Sequence, residues 1–371
     1  MSRFLITRTG RFSLPAIVPV HNWGAGGNTP EYWRYPGLPT AALFNAYFLI
    51  HRKRPPEPLH RRFGRLHAFV DSGGYLFTHD PRRQLAGAHR RTAVQTNGGT
   101  PSTLPDPEPV LRLQERLRAD VAFTLDYPLE REHHYAPQRF SKVIRWRAEV
   151  SAANAASAYA LRRDRRMLLF PVVHGPTPRH LRRFLLRLAH HLRNFCNIDV
   201  GDVDGFAIGS LVPISRDLVR VATLIRSLRQ MIPEDKPLHI FGVTGPYTLP
   251  LLVWAGADTM DAKTFIIAAA KRLYYLPLSA QQQGLRPFSR LPIAYLQPRY
   301  HPADLCSCPI CQDVEGFHIL RTRIKLATLH NLYVLQERLQ QSVELAERGE
   351  LTEWLLKQRG FRTAVRKASA S

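Results

Sequence analysis

From residue 16 onward, short apolar runs alternate with amphipathic stretches. Eight runs, at 16–21, 42–50, 68–71, 121–126, 167–174, 205–210, 238–244 and 257–261, have the length and composition of buried strands. Between them, segments such as 110–119, 142–163, 179–195 and 214–231 carry apolar side chains at three- and four-residue spacing, with Arg on the remaining face. That period suits helices covering a sheet. Eight such alternations predict an α/β protein, a (β/α)₈ TIM barrel, over residues 1–295. The Pro-rich segments 54–59 and 98–109 read as insertions between units. Residues 296–359 carry a cysteine cluster and a long helix-like run, 317–345, and form a second unit. The tail 360–371 is basic, rich in small residues and expected to be disordered.

The strand ends hold the chemistry. Asp71 with Ser72, Asp126 with Tyr127, His174 with Gly175, Gly209 with Ser210, Thr244 with Gly245, and Asp261 each close one apolar run. In a barrel all of these meet at the C-terminal face, where barrel enzymes keep their active sites. Three carboxylates, an imidazole and glycine-opened backbone in one cup point to acid/base and covalent chemistry. Around Asp71 the chain reads HAFVDSGGY, and Gly73-Gly74 allows a sharp turn and close approach of a ligand.

Charge narrows the partner. Fifty-two Lys and Arg against 29 Asp and Glu give a net charge of +23, an excess that favours a polyanion, most often nucleic acid. An apolar content of 44% excludes a disordered chain. No apolar run approaches the roughly 20 residues that cross a bilayer, so no membrane partner is expected. The first residues lack the apolar block of a signal peptide, which gives a cytoplasmic expectation.

Three of the four cysteines, Cys306, Cys308 and Cys311, fall within six residues. Three thiolates so close can wrap one soft cation, and tetrahedral Zn²⁺ then needs one more ligand. The following helix offers His318 and His330; His330 is the better placed if that helix packs back over the knuckle. With four protein ligands the zinc is structural, one per chain. Cys196 reads as an ordinary buried thiol.

These motifs together resemble the tRNA-guanine transglycosylases, zinc-containing barrel enzymes that exchange guanine for a 7-deazaguanine in a polynucleotide. The resemblance runs from about residue 16 to 345. It rests on Asp71-Ser72-Gly73-Gly74-Tyr75, on Thr124-Leu125-Asp126-Tyr127-Pro128 followed by Arg145-Trp146, and on the segment GFAIGSLVP at 205–213. Phe241-Gly242-Val243-Thr244, the stretch Gly256-Ala257-Asp258-Thr259-Met260-Asp261, and Cys306, Cys308, Cys311 and His330 complete it. The interval from cysteines to histidine is shorter than in bacterial members.

The resemblance implies a pentosyltransferase with catalytic Asp261 and Asp71. Asp261 attacks C1′ and holds the strand as a glycosyl ester, and Asp71 handles the proton. Asp258 is the rival carboxylate, placed by the motif to support the loop. The base site would comprise Ser72, Tyr75, Asp126, His174, Gly175, Gly209, Ser210, Leu211 and Phe241, with Tyr75 and Phe241 flanking the base. The implied partners are DNA or tRNA, a free guanine or 7-deazaguanine base, and a second copy in a homodimer. Three departures stand out. His174-Gly175 replaces the usual Gln-Gly, Ala262-Lys263-Thr264 replaces the bacterial Pro-Thr-Arg, and no room is left for the archaeal C-terminal RNA-binding module. They weigh towards DNA over tRNA. The alternatives are a tRNA-guanine transglycosylase proper and a non-catalytic, zinc-stabilised nucleic-acid-binding partner subunit.

Overall fold

The computed structural model describes residues 3–23, 29–50, 56–79 and 106–370. Parts of the insertions expected at 54–59 and 98–109 lie outside the described residues. Eight parallel strands form the body: β1 (Ala16–Pro19), β2 (Ala41–Asn45), β3 (His67–Asp71), β4 (Val121–Phe123), β5 (Leu168–Phe170 and Val172–Val173), β6 (Phe206–Ile208), β7 (Leu238–Ile240) and β8 (Thr259–Ala262). Pro171, which has no N–H to donate, divides β5. Its first piece pairs with β4 and its second with β6. β8 pairs with β1, and a parallel bridge from Val20 to Leu43 joins β1 to β2, which closes the barrel.

Period-two alternation explains why these strands are apolar throughout. Phe69, Phe123, Phe170, Val172, Ala207 and Leu43 point inward and pack on one another. Their neighbours Val70, Ala122, Leu169, Ile208 and Phe44 face the surrounding helices. Both faces are therefore buried. The same alternation carries the inward face up to the strand ends, so that Asp71 follows Phe69 and Asp261 follows Thr259 at the mouth.

The expectation of one strand over 42–50 is corrected. The strand stops at Asn45 and Tyr47–Ile50 is helical. A feature absent from the sequence reading is the hairpin Arg3–Ile6/Arg11–Leu14, whose Leu5 and Phe12 enter the inner cluster. Its turn is tied to Asp120, the residue before β4, by the Thr9 N–H (2.7 Å) and hydroxyl (2.9 Å). The hairpin thus plugs the N-terminal end.

After β8, helix Thr264–Ala270 and a short hairpin, Leu273–Tyr275/Arg290–Pro292, lead to the cysteine segment. The long run splits into helices Phe317–Thr322 and Ile324–Glu347. The tail expected to be disordered is instead a helix, Arg359–Ser369, which packs on helix Leu218–Met231. Composition hid the reason: Phe361, Ala364, Val365 and Ala368 recur at helical spacing and are buried, while the charges take the other face. Among the described residues no helix is long and apolar enough to cross a membrane.

Candidate active site

Asp71 and Asp261 sit on the inward face of β3 and β8 at the open end. Asn45, at the same level of β2, donates from Nδ2 to Asp71 Oδ2 at 2.6 Å. The Gly242 N–H donates to Asp261 Oδ1. Burial raises Asp71 to about 7, assisted by the charges of Asp126 and Asp261. Burial likewise raises Asp261 to about 6, opposed by the Gly242 N–H and by Lys263. Two carboxyls are therefore held near neutrality, one just above the other.

The two glycines after Asp71 have separate tasks. Gly73 turns the chain with φ +84°. A Cβ at Gly74 would lie 2.3 Å from Asp126 Oδ1, so only glycine lets Asp126 stand against this turn. Asp126 accepts from the Ser72 hydroxyl at 3.3 Å. Its other oxygen lies 3.0 Å from His174 Nε2, without the alignment of a hydrogen bond. His174 Nδ1 is 2.9 Å from the Ser210 hydroxyl, which also accepts from the Leu129 N–H at 2.7 Å. A bare ring nitrogen facing a carboxylate would be repelled. The network therefore assigns the proton to Nε2 and makes Nδ1 the acceptor from Ser210. Ser210 holds this position with φ +63°, beside Gly209, where a Cβ would strike the His174 ring at 2.7 Å.

Leu211 is buried behind this loop, and Gly175 passes within 2.7 Å of the Leu181 N–H side of the next helix, measured from an added Cβ. Tyr75 is exposed at the rim. Phe241 forms part of the floor, its ring 4.7 Å from Phe123 and 4.5 Å from His239. Sequence reasoning missed Asn45, because the run 42–50 read as one strand and hid where its inward face ended. Asp258 lies at the opposite end of β8, where Arg3 (2.6 Å) and Arg229 (3.3 Å) pair with it and the Leu238 N–H donates to it at 2.8 Å.

The second cluster is separate. Ligand atoms of Cys306, Cys308, Cys311 and His330 all lie within 4.8 Å of one another. His330 Nε2 faces the Tyr275 carbonyl at 2.8 Å, so that nitrogen carries the proton and Nδ1 turns to Cys311 and Cys308, 3.2 and 3.6 Å away. A histidine so oriented by a backbone carbonyl is the usual support for a metal ligand. Tyr274 stacks on the ring at 3.7 Å, and its hydroxyl meets Cys311 Sγ at 3.2 Å. Three thiols and one imidazole fit structural zinc, and four protein donors fill its tetrahedral shell. His318 is exposed and apart from the cluster. The neighbouring Asn331 accepts from the Tyr275 N–H at 2.9 Å, so hydrogen bonds tie the long helix to the strand that leaves the barrel, while a metal on this cluster would tie the cysteine segment to the same helix.

A family model described as queuine tRNA-ribosyltransferase matches residues 2–360. Among curated relatives, the tRNA-guanine(15) transglycosylase of Methanococcus aeolicus is 26% identical over 261 residues, 67% of this chain and 35% of its own length. The chain thus spans about a third of that relative. The queuine tRNA-ribosyltransferase of Herpetosiphon aurantiacus is 25% identical over 348 residues, covering 88% of this chain and 82% of that protein. The enzyme of the same name from Enterococcus faecalis is 26% identical over 357 residues, with 89% and 84% covered.

Proposed function

The chain belongs to the queuine tRNA-ribosyltransferase family, and from that premise we propose that it is a pentosyltransferase exchanging guanine for a 7-deazaguanine at an extruded nucleotide of a polynucleotide. The observation that carries the reading is the pair of carboxyls facing each other's strands at the mouth, Asp71 half-buried and raised to about 7, Asp261 buried and raised to about 6. In this mechanism the Asp261 carboxylate attacks C1′ as the bond from C1′ to guanine breaks. Asp71 gives its proton to the departing guanine and becomes a carboxylate. The incoming base loses its N–H proton to Asp71 and attacks C1′, the ester to Asp261 breaks, and both residues return to their starting states. Two displacements retain the configuration.

Asp126 would accept from the guanine N1–H and exocyclic amine, with Ser72 beside it and backbone groups of Gly209–Leu211 reading the remaining edge. Tyr75 and Phe241 supply aromatic faces. The target must leave its stack to reach a cup this deep. Zinc, when bound, supplies structural cross-linking only.

The names of the relatives favour tRNA as the strand, so tRNA replaces DNA as the first reading. DNA stays as the second, supported by His174-Gly175 and Ala262-Lys263-Thr264 at positions where the tRNA enzymes differ. The test offers labelled guanine with unmodified tRNA and, separately, with DNA. Label entering tRNA, and lost with Asp261→Asn, is expected. Label entering DNA alone reverses the order of the two readings, and label entering neither overturns the function.

A further inference from the structure

A cavity of about 1280 Å³ opens beside the mouth, between the loop after β7 and the C-terminal helices. Asp71, Asp126, His174 and Asp261 do not line it. It touches the active site through Gly242, whose N–H holds Asp261. Pockets for small ligands commonly measure ~300–1,000 Å³, so this one has room for more than a single base.

Its wall has one sign of charge. Arg286, Arg290, Arg338 and Arg359 line it, and none of its described lining residues is Asp or Glu. Arg338 is buried, and burial lowers it to about 10. Among the described residues no carboxylate pairs with it: its Nε donates to the Pro246 carbonyl at 3.2 Å and another nitrogen to Gln341. The adjacent Glu337 accepts instead from the Leu278 N–H at 3.0 Å. Glu337 acts on Arg338 only through space, since its carboxylate is hydrogen-bonded elsewhere. The buried guanidinium fork therefore has no directly bonded anion among the described residues, and a ligand phosphate supplies one.

Aromatic groups complete the lining. The Arg338 guanidinium lies 4.3 Å from the Phe288 ring centre and 4.8 Å from that of Trp354. Phe288 is held there with φ +57°, a conformation uncommon for an aromatic residue and found where surroundings impose it. Tyr247, 42% exposed, stacks on Phe361 with ring centres 4.7 Å apart. Thr244, also on the wall, is buried with its hydroxyl unpartnered among the described residues. Cations interleaved with aromatic faces are the pattern that binds unpaired strands by phosphate contact and base stacking.

We propose that this cavity receives the single-stranded flank of the target strand, with a phosphodiester at Arg338, Arg286 and Arg359 and an unpaired base against Tyr247 or Trp354. This rests on the polynucleotide reading above and adds where the strand next to the reacting nucleotide lies.

The test uses the full chain and a fluorescein-labelled unpaired oligonucleotide, with affinity measured by anisotropy across salt. Arg286 and Arg359 are exposed, so the double variant Arg286→Ala/Arg359→Ala folds normally. Each phosphate contact to a single strand contributes about 0.7 to the log–log salt slope, so the pair should reduce it by about 1.4. Arg193→Ala/Lys236→Ala, which removes equal charge at the opposite end of the barrel, should leave the slope unchanged. Arg338→Lys keeps the charge and loses the fork, and should weaken binding several-fold. An unchanged slope in the Arg286/Arg359 variant overturns the cavity assignment while leaving base exchange untouched. Loss of affinity for a mononucleotide or inorganic phosphate with an unchanged strand slope also overturns it, in favour of a small anionic ligand. Absence of strand affinity in the wild type overturns the polynucleotide reading itself.

Discussion

His174 Nε2 lies 3.0 Å from Asp126 Oδ2, and both side chains are buried beneath the mouth. From sequence, His174 stood among the residues contacting the base. Fixed by Ser210 on one side and turned to Asp126 on the other, it is also placed to act on the base through Asp126, and we propose that positioning role for it.

His174→Ala therefore removes the support of Asp126 and should raise the KM for the free base about 10-fold, with a smaller effect on kcat. Partners that orient metal ligands are commonly worth 10–100-fold, and a similar order is expected for a residue that orients Asp126. His174→Gln, whose amide N–H can face Asp126 in place of the Nε2–H, should recover much of that loss and alter the choice between guanine and 7-deazaguanines. Steady-state kinetics with both bases separates these effects. A large fall in kcat with KM unchanged, unrescued by Gln, would assign His174 to the chemistry instead.

The pH dependence follows from the two carboxyls. In the proposed mechanism Asp261 must be ionised to attack, so the rate should rise with pH through about 6. Asp71 must hold a proton for the departing guanine, so the first step should slow above about 7. Single-turnover formation of the glycosyl adduct should thus give a narrow bell. Asp71→Asn should lose the alkaline limb and slow the step by ~10²–10⁴. A rate that keeps rising to pH 9 in the wild type would contradict the assigned proton donor.

The same shift is a statement about stability. Asp71 binds its proton more tightly folded than unfolded, so its contribution is fully present below pH 4 and lost as pH rises to about 7. The difference between 3.8 and about 7 corresponds to roughly 4 kcal/mol at alkaline pH, an upper figure for a group at the mouth of a cup. Asp71→Asn should accordingly raise the melting temperature at pH 8 relative to wild type, and the gain should vanish near pH 4. Equal melting temperatures at both pH values would mean that Asp71 is better solvated than its surroundings indicate.

Cys308→Ser removes one of four donors around the metal. Zinc content should fall from about one per chain, and melting should drop by ~5–10 °C, since the cluster anchors the cysteine segment to the long helix through His330. The sulfur next to His330 is Cys311, so Cys311→Ser should be at least as damaging. Unchanged folding with no metal bound would remove the structural role.

The sequence made the barrel legible because parallel strands buried on both faces must be apolar throughout, and all eight runs became strands. The Cys306, Cys308, Cys311 and His330 set was legible because ligand spacing is a local property. The hairpin at 3–14 was missed because two four-residue strands with exposed Arg3, Phe4 and Ile6 carry little periodicity, and their partner, Asp120, is distant in sequence. The role of His174 was hidden for a similar reason. A ring nitrogen's partner depends on how β4, β5 and the Ser210 turn meet, and no spacing along the chain encodes that.

Asp258 and Asp261 stand three residues apart on one strand, and the fold separates them more sharply than the motif does. Asp261 is on the inward face at the open end, with the Gly242 N–H as its donor. Asp258 is at the closed end, held by Arg3 and Arg229. Asp261→Asn keeps the shape and removes the nucleophilic charge, so guanine exchange should fall by about 10³-fold or more while strand binding persists. No adduct resistant to denaturing gels should form. Asp258→Asn should behave oppositely. It leaves Arg229 without its carboxylate and should cost ~1–3 kcal/mol of stability, yet exchange per folded molecule should stay within about threefold of wild type. Thermal melting and labelled-guanine exchange on the same two preparations distinguish the roles. Near-normal exchange in Asp261→Asn, with loss in Asp258→Asn at a temperature where both are folded, would place the nucleophile at the wrong end of the barrel and overturn the mechanism.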